Sequence, residues 1–301
     1  MRMRPWLWIP LAVIALLLIG KHFLLDTPAA PAGTYVIDLD GLHRAATTGG
    51  GALPDHIEVE HVADFGFPQS FVVAGGGFRM HSMVLLAHRV VWGDGRSVMI
   101  DTAMPPAAAK KMPGAKTYDD AYDRIQAAMR KADAIVFTHE HPDHVGGLAA
   151  APDFASVAAK ARMTREQLAG PRLERDKFPP GALDSLKPLD YQGLFAVAPG
   201  VVLQKAPGHS TGSQLVYVEL ASGARFLFVG DIAWSFDNIR DQIGRPGIAT
   251  VLMKEDRPAV AAELQAISRL PADVHVIVAH DPVALASDLG AGLYRLGFTA
   301  L

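Results

Sequence analysis

The stretch Phe137-Thr-His139-Glu-His141-Pro-Asp143-His144-Val-Gly-Gly147 places three histidines and an aspartate within six residues, directly after the apolar run Ala134-Ile-Val136. A strand followed by such a loop turns several imidazole and carboxylate groups toward common points. Pro142 disfavours a helix through the motif, so the spacing predicts a loop. Histidine and carboxylate donors without sulfur suit zinc, and also iron or manganese.

Three further segments repeat this design. Ala206-Pro-Gly-His209 follows the apolar run 201–205, Gly230-Asp231 follows 225–229, and His280-Asp281 follows 274–279. A lone strand-end histidine or aspartate is more often a cap or a turn residue. Four such places on one chain are a joint signal. The chain has no cysteine, which excludes disulfide scaffolds, thiolate metal sites and cysteine nucleophiles. Ser210 beside His209 is not read as a nucleophile, because His209 is already assigned to metal.

The surrounding pattern predicts layered α/β structure. Strands are expected at 70–74, 83–91, 97–101, 134–138, 201–205, 214–219, 225–229 and 274–279, with Trp92-Gly-Asp-Gly-Arg96 as a hairpin turn. Helices are expected at about 119–131, 155–169 and 258–269, the last with Pro258 at its first position. Imperfect alternation of strands and helices, with hairpins mixed in, argues for mixed sheets. Residues 170–200 read as a long irregular loop, either a substrate-covering element or a plain surface insertion. Gly75-Gly-Gly77 reads as a flexible turn. The other histidines, including His43, His56, His61, His81, His88 and His275, read as surface or core polar groups.

The seven positions His139, His141, Asp143, His144, His209, Asp231 and His280 resemble the metallo-β-lactamase superfamily pattern His-x-His-x-Asp-His, then His, Asp and His. The resemblance covers about residues 57–285. It implies a four-layer αββα sandwich of two mixed sheets with two divalent metal ions at one sheet edge. By motif position, His139, His141 and His209 would hold the first metal. Asp143, His144 and His280 would hold the second, and Asp231 would bridge both. Asp101 resembles the family's structural aspartate near the site. The resemblance further implies a metal-bound hydroxide acting on an ester, lactone, thioester or amide-type small-molecule substrate. Asp143 and Asp231 are the residues expected to take part in catalysis.

Within the superfamily, the absence of cysteine and the presence of Asp231 favour the glyoxalase II and lactonase-like branches over true β-lactamases. Val278-Ala-His280-Asp281 looks like the closing motif of the acyl-homoserine lactonases. Those enzymes carry a tyrosine where this chain has Trp234. Trp234 and Phe236 are expected either to wall an apolar pocket or to pack in the core. β-Lactamase-like or phosphodiesterase activity, and a metal-binding sensor or scaffold without turnover, are the alternatives.

Outward at the N-terminus, Arg2 and Arg4 precede the 16-residue apolar run Pro5–Gly20, and Phe23-Leu-Leu25 extends it past Lys21 and His22. A basic start before an apolar stretch reads as an export signal or signal anchor, residues 1–25. A span needs about 20 apolar residues, met here by counting through Leu25 with Lys21 reaching to the interface. Residues 26–33 form a linker, and 34–301 the metal-dependent hydrolase domain. An uncleaved inner-membrane anchor with the domain in the periplasm is favoured over cleavage near Ala30-Pro-Ala32 and release. A core helix of the soluble domain is the remaining reading. The 301-residue chain is half apolar, with a formal charge of −3. From Gly33 onward the charge is −5, because three of the basic residues and one of the acids lie upstream. Such a balance disfavours a nucleic-acid partner.

Overall fold

The computed structural model describes residues 8–171, 173 and 178–299. Its strands, in chain order, are β1 (His56–Pro68), β2 (Met80–Val91), β3 (Ser97–Ile100), β4 (Lys116–Thr117), β5 (Ala134–Val136), β6 (Ala161–Arg162), β7 (Leu194–Ala198), β8 (Val201–Lys205), β9 (Gln214–Glu219), β10 (Arg225–Phe228), β11 (Val274–Ile277) and β12 (Arg295–Leu296). They form two sheets. The first runs β12-β1-β2-β3-β5-β6 with β4 added on β1, and the second runs β11-β10-β9-β8-β7. Both mix parallel and antiparallel pairs: β3 and β5 are parallel while β2 and β3 are not, and β10 pairs β11 in parallel but β9 in the opposite sense.

Side-chain alternation sorts each strand of the second sheet between two cores. Val201, Leu203, Val216, Val218, Phe226 and Phe228 face the first sheet and meet Ile57, Val59, Val84 and Ile100. Val202, Leu215, Tyr217 and Leu227 face outward and are covered by Leu42, Val260 and Leu264 from the helices Leu39–Thr47 and Arg257–Ile267. On the far side of the first sheet, Ile125, Met129, Val145 and Leu148 pack over Met83, Leu85, Met99 and Ile135. The order is helix, sheet, sheet, helix, so the αββα sandwich is the architecture. Strands buried on both faces read as continuous apolar runs, which is why β8 to β10 were legible.

Several elements differ from the sequence expectation. Residues 70–74 are not a strand: Gln69–Val72 is a helical turn, closed by Val73 N–H donating to Gln69 O at 2.9 Å and tied to the next loop by Ser70 N–H donating to Gly77 O at 2.7 Å. It folds the chain back between β1 and β2. The expected helix 155–169 is two short helices, Phe154–Ala158 and Arg165–Leu168, separated by β6. There Ala161 and Arg162 pair with the edge of β5, and ladder hydrogen bonds outweigh helical propensity. The 13-residue strand β1 is not among the expected strands. Its charged positions hid it: Glu58 and Glu60 are buried and paired with Arg89 and Arg124. The segment 170–200 is not wholly irregular, since it holds the turn Ala182–Ser185 and β7. Residues 172 and 174–177 of that segment lie outside the described residues.

The N-terminal helix Trp8–Lys21 continues to Asp26. Over Trp8–Asp26 it is long and apolar enough to cross a membrane, and none of it is buried.

Candidate metal centre

Each of the three later ligand candidates leaves the carboxyl end of a strand of the second sheet, and the His139 motif leaves β5 of the first. All seven meet at one edge of the sandwich. His139, His141, His209 and Asp231 form one group and Asp143, His144, Asp231 and His280 a second. In each, the donor atoms lie within 4.8 Å of one another.

The motif after β5 is not a loop throughout. A helix spans Pro142–Ala149, with His141 as its N-cap. Pro142 does not prevent it, because the first helical position has no intrahelical use for an N–H and proline's φ suits it. Asp143 and His144 therefore sit in the first turn, where the helix dipole favours a carboxylate. Gly147 lets this helix press against the loop after β3: a Cβ there would stand 2.2 Å from Thr102 O. Gly230 has φ +50°, and a Cβ on it would stand 2.7 Å from the Thr138 side chain. These two glycines bring the Asp143–His144 turn and the Asp231 turn to the edge.

Asp101 organises the first sheet's contribution. It adopts φ +61° at the end of β3. Its Oδ1 accepts from Thr138 N–H at 2.7 Å, and its Oδ2 faces His144 Nδ1 at 2.8 Å. A carboxylate only accepts, so Nδ1 of His144 carries the proton and Nε2 turns inward. His280 is set the same way by Val84 O, 2.9 Å from its Nδ1, and His209 by Glu255 Oε2, 2.9 Å from its Nδ1. Such outer partners fix tautomer and ring direction in metal sites.

The two oxygens of Asp231 face different groups. Oδ1 is 3.2 Å from His144 Nε2 and 3.1 Å from His280 Nε2. Oδ2 is 3.4 Å from His209 Nε2 and 3.7 Å from His139 Nε2. Burial opposes the charge on Asp231, but His280, His139 and His144 outweigh it and hold its pKa well below the usual carboxylate range. Burial likewise opposes charge on His144, and Asp101, Asp143 and Asp231 overcome it, raising its pKa. His139 is depressed, first by burial and then by His144.

The residues fit metal ions by donor chemistry and by their unmet hydrogen-bonding needs. The buried atoms His139 Nε2, His144 Nε2 and Asp231 Oδ1 have no hydrogen-bond partner. Leaving a buried polar atom unsatisfied costs about 1–3 kcal/mol, and all three point into the two groups. One group offers three imidazoles and a carboxylate oxygen, the other two of each, sets that divalent transition ions accept.

Sequence reasoning missed the shell behind His209. Arg245 and Glu255 are almost wholly buried. Arg245 Nε donates to Glu255 Oε2 at 2.5 Å. The guanidinium also covers the Trp234 ring at 4.9 Å, and Trp234 Nε1–H donates to Asp231 Oδ2 at 2.7 Å. One buried cation thus backs both His209 and Asp231. Glu263, also buried, accepts from Gly208 N–H at 2.9 Å, and burial pushes its pKa up to about 8. No local motif announces these residues, which lie 36 to 55 positions from the histidine loop they support. Trp234 is half-way between the two roles expected of it. It stacks on Phe67 at 6.2 Å and meets His280 edge-on at 6.0 Å, while Phe236 is exposed.

A two-sheet sandwich whose strand ends bring histidines and aspartates together defines an αββα protein with a candidate metal centre. A family profile described as the metallo-β-lactamase superfamily matches residues 76–280, and the chain belongs to that superfamily. Among curated proteins it is similar to an N-acyl homoserine lactonase of Bacillus thuringiensis, 30% identical over 112 residues, which are 36% of this chain and 42% of that protein. It is also similar to a hydroxyacylglutathione hydrolase of Aeromonas hydrophila, 29% identical over 161 residues, 53% of this chain and 52% of the other. The matches thus span about half or less of these relatives' lengths. Among solved structures, an N-acyl homoserine lactone hydrolase with the product N-hexanoyl-L-homoserine at its catalytic metal centre aligns with TM-score 0.59 and 17% identity, over 78% of this chain and 96% of that one. A dizinc quorum-quenching lactonase aligns with TM-score 0.53 and 15% identity, over 74% and 86%. These likenesses concern the fold.

Proposed function

We propose that this chain is a membrane-anchored dinuclear hydrolase that opens a lactone, ester or thioester of a small acyl substrate on the outer side of the inner membrane. The observation that carries the reading is the shared carboxylate: each oxygen of Asp231 faces a different histidine group. In this reading His139, His141 and His209 hold one ion and Asp143, His144 and His280 the other. Asp231 lies between, its charge offsetting the repulsion of two close cations. Zinc is the favoured metal, given the histidine-rich, sulfur-free donor set. Bound divalent ions supply Lewis acidity toward a substrate carbonyl and a water acidified to about neutral pKa.

The chain's own groups do the rest. Asp101, Val84 and Glu255 hold three imidazoles with Nε2 inward. Trp234 donates to Asp231 and restrains its rotation. Asp143 is the most solvent-accessible ligand, with a fifth of its side chain exposed and Oδ2 3.6 Å from His280. It is placed to hold or pass a proton between the site and water. Lactone and thioester substrates are supported by the two kinds of curated relative. Trp234 has its one N–H committed to Asp231 and offers the substrate no hydroxyl. The thioester reading is therefore kept beside the lactone one.

The test is a hydrolysis panel on zinc-loaded, detergent-solubilised chain covering acyl lactones, glutathione thioesters, phosphodiesters and β-lactams, with elemental analysis of the same preparation. About two metal equivalents with turnover of a lactone or thioester is the expected result. No bound transition metal would overturn the ligand assignment, and turnover confined to phosphodiesters or β-lactams would overturn the substrate class. Cell fractionation should put the chain with membranes, and a soluble cytoplasmic pool would contradict the anchor.

A further inference from the structure

The N-terminal helix does not leave the domain on a free tether. Gly75 N–H donates to Leu25 O at 2.9 Å, and Arg257 Nη2 donates to Thr27 O at 2.6 Å. Gly247 fits so closely under the helix end that a Cβ on it would stand 2.4 Å from Phe23 O. The same two loops are joined to each other, Ala74 N–H donating to Gly244 O at 3.0 Å. Beside these docking points the surface turns apolar. Phe78, three residues past Gly75, is 64% exposed, and Met80 is also exposed. Val251, four residues past Gly247 on the helix Ile248–Met253, is 73% exposed. Cations stand next to both: Arg79 between Phe78 and Met80, and Lys254 at the end of that helix, each exposed.

We propose that this face, Phe78, Met80 and Val251 with Arg79 and Lys254, rests in the headgroup layer of the bilayer that the N-terminal helix spans. The inference rests on the anchor reading given above. What commits it to a membrane is continuity: the apolar residues flank the very backbone positions that grip the helix where it ends. Large apolar side chains beside exposed cations suit the boundary between acyl chains and anionic headgroups. The helix is gripped at Phe23–Thr27, where Lys21 and Asp26 already pair, so the polar boundary falls at the level of the two loops.

The metal edge is linked to the same two loops by side-chain contacts. Arg245, two residues before Gly247, donates to Glu255, whose Oε2 accepts from His209 Nδ1, and Gln69 at the start of the other loop bonds Asp237 near Trp234. The centre is therefore held at the membrane surface. The far end of strands β9 and β10, with the exposed turn at Ser222, stands about 20 Å away by the length of a six-residue strand.

The absence of native cysteine permits a direct test with the full chain. Leu16→Cys, Phe78→Cys, Val251→Cys and Ser222→Cys are labelled singly with a polarity-sensitive bimane and reconstituted in nanodiscs of phosphatidylglycerol and phosphatidylcholine. Part of the lipid carries a doxyl quencher high on its acyl chain. Labels at 78 and 251 should be quenched several-fold more than the label at 222, approaching the label at 16. Quenching at 16 without quenching at 78 and 251 would leave the anchor standing and overturn the membrane-resting face. Equal quenching at 222 would overturn it too, because the domain would have no fixed orientation. No quenching at 16 would remove the anchor reading and this inference with it.

Discussion

Glu255 offers the sharpest separation of a structural from a metal-directed role. Its carboxylate is buried between Arg245 and His209 Nδ1. Arg245 and Nδ1 of His209 gain from its charge, while Glu255 Oε1 and Arg245 Nη1 find no hydrogen-bond partner. Glu255→Gln keeps shape and one acceptor but leaves the guanidinium without its counter-charge. Removing one partner of a buried pair costs about 3–5 kcal/mol; the retained acceptor puts the expectation at the low end, about 3 kcal/mol. Loss of a partner behind a metal-ligating histidine lowers affinity about 10- to 100-fold, which corresponds to about 1.4–2.8 kcal/mol. The two effects are separable with Arg245→Met/Glu255→Leu. Replacing both members of a buried pair by apolar groups is often neutral or stabilising, so stability should return to within about 1 kcal/mol of the parent. His209 would still lack its acceptor, and metal affinity should stay low. Stability is measured by guanidinium unfolding of chelator-stripped chain, so that metal binding does not contribute. Affinity is measured by competition with a chromogenic chelator. If the double variant regains metal affinity together with stability, Glu255 acts only through the fold and the reasoning fails.

Asp231→Ala should abolish metal binding and hydrolysis together, checked by elemental analysis beside an activity assay; loss of activity with two ions retained would contradict a bridging role. Trp234→Phe keeps the ring between Arg245 and Phe67 but deletes the N–H on Asp231 Oδ2. One hydrogen bond to a charged group is worth about 1.5–3 kcal/mol, so chelator competition should show a drop in metal affinity of at least tenfold. Glu263 has a folded pKa raised to about 8 by burial. The folded state keeps its proton where the unfolded chain has lost it, so its contribution is complete below about pH 4.5 and declines as pH rises toward 8. Glu263→Gln should flatten that decline by a few kcal/mol, read from denaturation midpoints between pH 5 and 8.5; an unchanged slope would show that Glu263 is ionised in the fold.

Legibility followed the range of the physics. β8 to β10 were readable because strands covered on both faces are uninterrupted apolar runs. β1 was not, because Glu58 and Glu60 look like surface residues until Arg89 and Arg124 are brought across from elsewhere. The helix at Pro142 is not legible locally, because proline reads as a breaker unless it is known to take the first helical position. β6 was lost inside an apparent helix because its partner, the edge of β5, is a tertiary neighbour.

The identity of the seven ligand candidates, and their positions just past strand ends, are local properties written in residue order. So are the apolar N-terminal segment and the absence of any thiol. Which oxygen of Asp231 meets which histidines depends on how far two sheets and the Pro142–Ala149 helix approach, and packing at Gly147 and Gly230 sets that distance. The Arg245–Glu255 pair behind His209, and the seating of Phe23–Thr27 against Gly75 and Gly247, join segments far apart in the chain. Contacts of that kind leave no periodicity or motif, because the side chains acquire their roles only when folding makes them neighbours.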